Sequence, residues 1–145
     1  MTKEITNEQA KIELENNYSE AKELLSKPDK IEKLLQKFEQ KIKKIPNIGE
    51  KLSHVFALAS MVKSYIKNEY REVPLYSIVA AVSALIYFVS PIDLIPDFIP
   101  VAGLVDDATV IAYCVSLIDL DIQDYIEWRK ANGKDLYYQP QEEQE

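Results

Sequence analysis

The chain has 145 residues, 47% of them hydrophobic and 28% charged, with a formal net charge of −7. That length suits one domain able to bury a core. The acidic balance speaks against general nucleic-acid binding, which draws on phosphate neutralisation, and a single cysteine, Cys114, excludes an intrachain disulfide.

Charge is unevenly spread, with net −3 over 1–25, +5 over 26–72, −4 over 73–118 and −5 over 119–145. The opening MTKEITNEQAKIELENN is polar and lacks the apolar core of a signal peptide. A location in the cytoplasm, or on the cytoplasmic face of the cell membrane, is expected.

Residues 5–25 are predicted to form an amphipathic helix, because Ala10, Leu14, Tyr18, Ala21 and Leu25 recur at steps of four and three. Pro28 suits the first turn of a new helix, whose stripe is Ile31, Leu35, Phe38, Ile42 and Ile45, ended by Pro46. Both stripes predict faces packed on the rest of the protein. The connector IPNIGEKL resembles the hairpin of helix-hairpin-helix DNA-binding modules, but has one glycine where that motif usually has two. A capping box with Asn47 as N-cap and Glu50 three residues on accounts for it without nucleic acid.

A third helix is predicted from Glu50 to Tyr70. Leu52, Val55, Ala59, Val62 and Ile66 form one stripe, widened by Leu58, Met61 and Tyr65, which implies burial against more than one neighbour. His54 has no evident Ser or Cys partner and reads as a packed or capping residue. From Pro74 to Val89 the chain is uncharged and apolar all round, and Leu104 to Ile118 is a second such helix, charged only at its start. Small residues at helical spacing (Ser77 with Ala81, Ala80 with Ala84, then Ala108, Ala112 and Ser116) would let two backbones approach closely, so an antiparallel hairpin is expected. Asp119 to Ala131 is a last amphipathic helix with Ile122, Tyr125, Ile126 and Trp128 inward, closed by Gly133. The tail LYYQPQEEQE is expected to fray.

The predicted architecture is therefore all-α, with about six helices organised on the apolar hairpin 74–118 and its Pro/Asp-rich connector. It divides into N-terminal amphipathic helices (1–46), a hairpin-bearing segment (47–120), a C-terminal helix (121–133) and an acidic tail (134–145).

That connector, YFVSPIDLIPDFIPVAGLVDD, holds Pro91, Pro96, Pro100, Gly103 and four carboxylates, Asp93, Asp97, Asp106 and Asp107, with no basic residue between Val73 and Ile118. The run ALIYFVSP, the Pro-Ile-Asp-Leu-Ile-Pro-Asp core, Gly103 followed by Asp106-Asp107, and the Tyr70-Arg71 pair before Val73-Pro74 resemble the YkvA-like family, a bacterial family of unknown function, over roughly Gly49 to Ile118. The resemblance implies a small helical protein associated with the membrane, and no established activity.

Two readings of the acids follow from the residues. In one, they serve backbone donors: Ser90 as N-cap with Pro91 and Asp93 in a first turn, Pro96-Asp97 as another short turn ended by Pro100, and Asp106-Asp107 in the favourable first turn of the next helix. In the other, Asp93, Asp97, Asp106 and Asp107 converge at the mouth of the hairpin as oxygen ligands for Mg2+, Mn2+ or Ca2+, with Arg71 and the lysines of the basic block as in-house alternatives to a metal.

Pro74 to Ser90 gives 17 residues, short of the about 20 needed to span a bilayer, and the preceding lysines suit a cytoplasmic, lipid-facing side. The favoured function is a non-enzymatic, membrane-associated helical protein whose hairpin engages a lipid or protein partner, such as an anionic membrane surface or a membrane protein. The alternatives are a soluble divalent-metal module using the aspartates, and a soluble adaptor that forms a homo-oligomer.

Overall fold

The computed structural model describes 7–43, 54–89 and 100–138, with side chains for 8–43, 54–89 and 109–138. The fold is all-α. Its helices are α1 (Asn7–Glu15), α2 (Tyr18–Leu25), α3 (Pro28–Lys43), α4 (His54–Ile66), α5 (Leu75–Val89), α6 (Pro100–Leu117) and α7 (Asp119–Ala131).

The helix expected over 5–25 is in fact two. Its break at Asn16–Asn17 has a local cause, since asparagine side chains compete for backbone groups. Asn17 Nδ2 donates to the Glu13 carbonyl at 2.9 Å, the acceptor that the Asn17 amide would otherwise use, and that amide turns to Leu14 O at 3.1 Å. The stripe survives the bend, with Ala10, Leu14 and Ala21 fully buried. Pro28 opens α3 as expected, and Ile31, Leu34, Leu35 and Phe38 are buried. The Asn47–Glu50 capping box and Pro46 lie outside the described residues, and His54 is an exposed residue at the start of α4 rather than a packed one.

α5 is the axis of the bundle. α1, α2, α3, α4 and α6 all pack on it, and every residue from Ser77 to Ile86 is buried. A helix that is apolar all round needs neighbours all round, and the amphipathic stripes of α1 to α4 supply them. Its serines are satisfied: Ser83 Oγ donates to Val79 O at 2.8 Å, and Ser77 Oγ donates to Asp121 Oδ2 at the start of α7.

The antiparallel hairpin of α5 and α6 forms, with Cys114 Sγ lying 3.4 Å from Ala80 O. Its contact face differs from the expected one. Ile111 and Cys114 are buried, while Ala112 and Ser116 are exposed, so the small-residue stripe on α6 turns outward. Among the described residues no helix is long and apolar enough to cross a membrane. The 15 residues of α5 reach about 22 Å at 1.5 Å each, against roughly 30 Å of hydrocarbon.

Two helices end in the same way. α4 closes on Asn68 at φ 62°, and α7 on Gly133 at φ 68°. In each, the left-handed residue donates its amide three residues back, and the next amide donates five back: Asn68 to Tyr65 and Glu69 to Ser64, then Gly133 to Lys130 and Lys134 to Arg129. This pairing satisfies the last carbonyls. Of the tail expected to fray, 136–145, only 136–138 are described, and these pack on the bundle, with Leu136 and Tyr137 half-buried and Tyr138 buried.

Candidate functional site

The connector begins where α5 ends, and that end is held by a cation. Lys41 of α3, one of the lysines in the basic block, is only 7% exposed. Its ammonium donates to the Phe88 carbonyl and sits 4.3 Å from the centre of the Phe88 ring. Phe88 is among the last four residues of α5, whose carbonyls have no partner within the helix, and a positive charge there is favoured by the helix dipole.

Of the residues expected to form a site, Ser90, Pro91, Asp93, Pro96 and Asp97 lie outside the described residues. Pro100 is the first residue of α6, so the proline taken as a stop is a start, a position its fixed φ suits. α6 then carries Gly103 inside it, and Asp106 and Asp107 fall six and seven positions after Pro100 rather than in the first turn, which holds no acid. Their favourable interaction with the helix dipole, which fades beyond the first turn, is correspondingly lost as an explanation. Among the described residues no group of three or more His, Cys, Asp or Glu side chains could hold a metal ion. Arg71, the other proposed in-house partner, is engaged elsewhere: it donates to Tyr65 O and Asn68 Oδ1, both at 3.0 Å, and stacks on Tyr65.

A polar knot joins α4, α7 and the C-terminal segment. Tyr125 Oη lies 2.7 Å from both Ser60 Oγ and Ser64 Oγ and donates to Ser60 O at 3.0 Å. Arg129, in the last turn of α7, is buried: Nε donates to Asp135 O at 2.9 Å, Nη1 reaches Ser64 Oγ at 3.4 Å, and Glu69 lies 3.8 Å away. Tyr137 completes it, donating its amide to Ser60 Oγ at 2.9 Å and its hydroxyl to both Glu69 oxygens at 2.7 Å. Burial pushes the Tyr125 phenol up despite the opposing pull of Ser60, Ser64 and Arg129. Ser60 and Ser64 face a neutral hydroxyl and a guanidinium, neither of which can take a proton from them, so the knot is a structural clasp. Burial likewise pushes the Cys114 thiol up to about 12, which keeps it protonated and a poor nucleophile.

The end of the bundle where α5 begins is different. Ser77 and Asp121 are hydrogen-bonded there, and Tyr18 packs edge-on against Tyr76 at 6.2 Å. Around these contacts Leu75 (62%), Tyr76 (52%), Leu117 (40%) and Leu120 (76%) stand exposed. The outer face of α6 leads to them with Ala112 and Ser116, and no charged residue occurs from Ala108 to Ile118. Sequence reading missed this surface, because an all-round apolar helix does not reveal which of its faces the neighbours leave open.

Residues 77–113 match a family model described as a protein of unknown function (DUF1232), an interval running from the first turn of α5 to Tyr113 of α6. The chain is also 28% identical over 78 residues to the uncharacterized membrane protein YkvA of Bacillus subtilis (strain 168), across 54% of this chain and 74% of that protein. The chain resembles YkvA. The family-model match covers the hairpin, while α1 to α3 and the C-terminal clasp lie outside that interval. No solved structure matches the chain.

Proposed function

We propose that this chain is a non-enzymatic helical module that associates with a membrane surface through the exposed limb of its hairpin. The observation that carries the reading is the gathering of Leu75, Tyr76, Leu117 and Leu120 at one end of the bundle. Large apolar side chains grouped at a surface mark interaction sites more often than singly scattered ones do. The name of the Bacillus subtilis relative, a membrane protein, favours lipid as the surface engaged. α5 is enclosed by its neighbours, so the lipid-facing part is α6 with the first turns of α5 and α7, lying on the membrane without crossing it. Leu75 and Leu120 would enter the headgroup boundary, and each buried apolar side chain adds up to about 1.5–3 kcal/mol.

Liposome flotation tests this. The full chain is expected to float with neutral phosphatidylcholine vesicles and with vesicles containing anionic lipid. The double variant Leu117→Asn with Leu120→Asn should partition at least tenfold less while keeping its thermal midpoint, since both side chains already meet water. A wild-type chain that stays at the bottom of the gradient with both vesicle types, or a variant that floats as well as wild type, removes the reading.

A further inference from the structure

A second surface, far in sequence from the hairpin, carries chemistry of its own. Glu32, Leu35, Gln36 and Glu39 of α3, spaced by three and four and so sharing one helix face, form one wall of a cleft of about 190 Å3. Lys63 of α4 and Tyr138 of the C-terminal segment form the other. Tyr138 is 7% exposed, and its buried hydroxyl makes no hydrogen bond of normal geometry, only a looser approach to the Glu39 carboxylate. A buried hydroxyl left in that state is costly and is normally satisfied by some polar atom. Burial, followed by the carboxylates of Glu39 and Glu32, pushes the Tyr138 phenol up, which places it on the acidic side of the cleft. The ammonium of Lys63 lies 4.9 Å from the ring centre of Tyr137 and 5.4 Å from that of Tyr138. Among the described residues neither Lys63 nor Glu32 nor Glu39 makes an ion pair.

Opposite charges therefore face one cleft without bridging it. We propose that this cleft binds a small zwitterion carrying a primary ammonium and a carboxylate. Glu32 and Glu39 receive the ammonium, Lys63 the carboxylate, Leu35 lies against the carbon spacer, and the Tyr138 hydroxyl and Gln36 amide supply the neutral hydrogen bonds. Charge rules out simpler ligands: a bare metal cation is opposed by Lys63, and a bare carboxylate by the two glutamates. The volume, about six times the share of one liquid water molecule, admits a short aliphatic spacer. All six lining residues fall outside 77–113, the interval matched by the family model.

Calorimetric titration of the full chain with glycine, 4-aminobutyrate and 6-aminohexanoate, against butylamine and butyrate as single-charge controls, tests the proposal. One zwitterion is expected to bind at least tenfold more tightly than either control. Glu39→Gln and Lys63→Met should each weaken it at least tenfold with circular dichroism unchanged. Tyr138→Phe should weaken it several-fold with circular dichroism unchanged. Equal binding of zwitterions and single-charge controls, no binding by any of the three zwitterions, or undiminished binding by the Glu39 and Lys63 variants overturns it.

Discussion

The ammonium of Lys41 caps α5 by donating to the carbonyl of Phe88, 47 positions away in the chain. A single side chain of α3 thereby meets a free carbonyl, a helix dipole and an aromatic ring at the point where the apolar helix gives way to the acidic connector. Replacing Lys41 by Met keeps much of the buried stem but leaves the Phe88 carbonyl without this donor, at a cost of about 1–3 kcal/mol. Urea midpoints of wild type and Lys41→Met check this, and an unchanged midpoint would show that water reaches the carbonyl.

The clasp at Tyr125 should behave as a unit. Tyr125→Phe removes one hydroxyl but deprives two serines of their shared partner, so about 1–3 kcal/mol of stability is expected to be lost. In a double-mutant cycle with Ser64→Ala, the combined loss should fall short of the sum of the single losses, because the two changes abolish one common interaction. Additive losses would show that the hydroxyl acts on each serine independently.

Alkaline stability follows from the buried proton donors. The Cys114 thiol is raised from 9.0 to about 12 by burial, so the folded state holds its proton more tightly than the unfolded state. The stabilisation is fully present below about pH 9 and is lost as pH climbs towards about 12, at up to about 1.4 kcal/mol per pH unit. Tyr70 and Tyr125, also raised mainly by burial, add to the loss above their ordinary range. Cys114→Ala should be destabilised at neutral pH by the cavity it leaves, and the gap to wild type should narrow as pH rises. A gap that stays constant from neutral to alkaline pH would contradict this.

Gly133 offers a clean backbone test. Its φ of 68° is left-handed, and a Cβ added there meets nothing within 4 Å. Gly133→Ala should therefore cost about 1–2 kcal/mol through conformation alone, seen as a lowered thermal midpoint with α7 intact by circular dichroism. A neutral result would mean that the Lys130 and Arg129 carbonyls find partners without the left-handed turn.

Much of this architecture was legible from periodicity, and its failures share one origin. The stripes through Ala10, Leu14 and Ala21, through Ile31, Leu35 and Phe38, and through Val55, Ala59 and Val62 mark faces that are buried, because spacing reports which side of a helix faces a core. Spacing does not report which neighbour lies there. Ala112 and Ser116 have the right interval for close packing on α5, yet face outward, and Cys114 makes the contact instead. Pro100 was read as a stop because proline is compatible with either end of a helix, and only the chain direction of α6 decides. Charge alone does not mark Lys41 and Arg129 as buried residues. Their burial depends on the Phe88 and Asp135 carbonyls, acceptors that every residue type carries and that no sequence pattern marks. For the aspartates the position is narrower: Asp93 and Asp97 fall outside the described residues, and only the backbone of Asp106 and Asp107 enters the comparison.

The central place of α5 bears on how the polypeptide is made. Four of the five helices that enclose it, α1 to α4, precede it in the chain, and a nascent protein leaves the ribosome N-terminus first. The greasiest stretch thus emerges after most of its own lining has been synthesised, and a groove is available to receive it on arrival. Only α6 must still follow to close the remaining side.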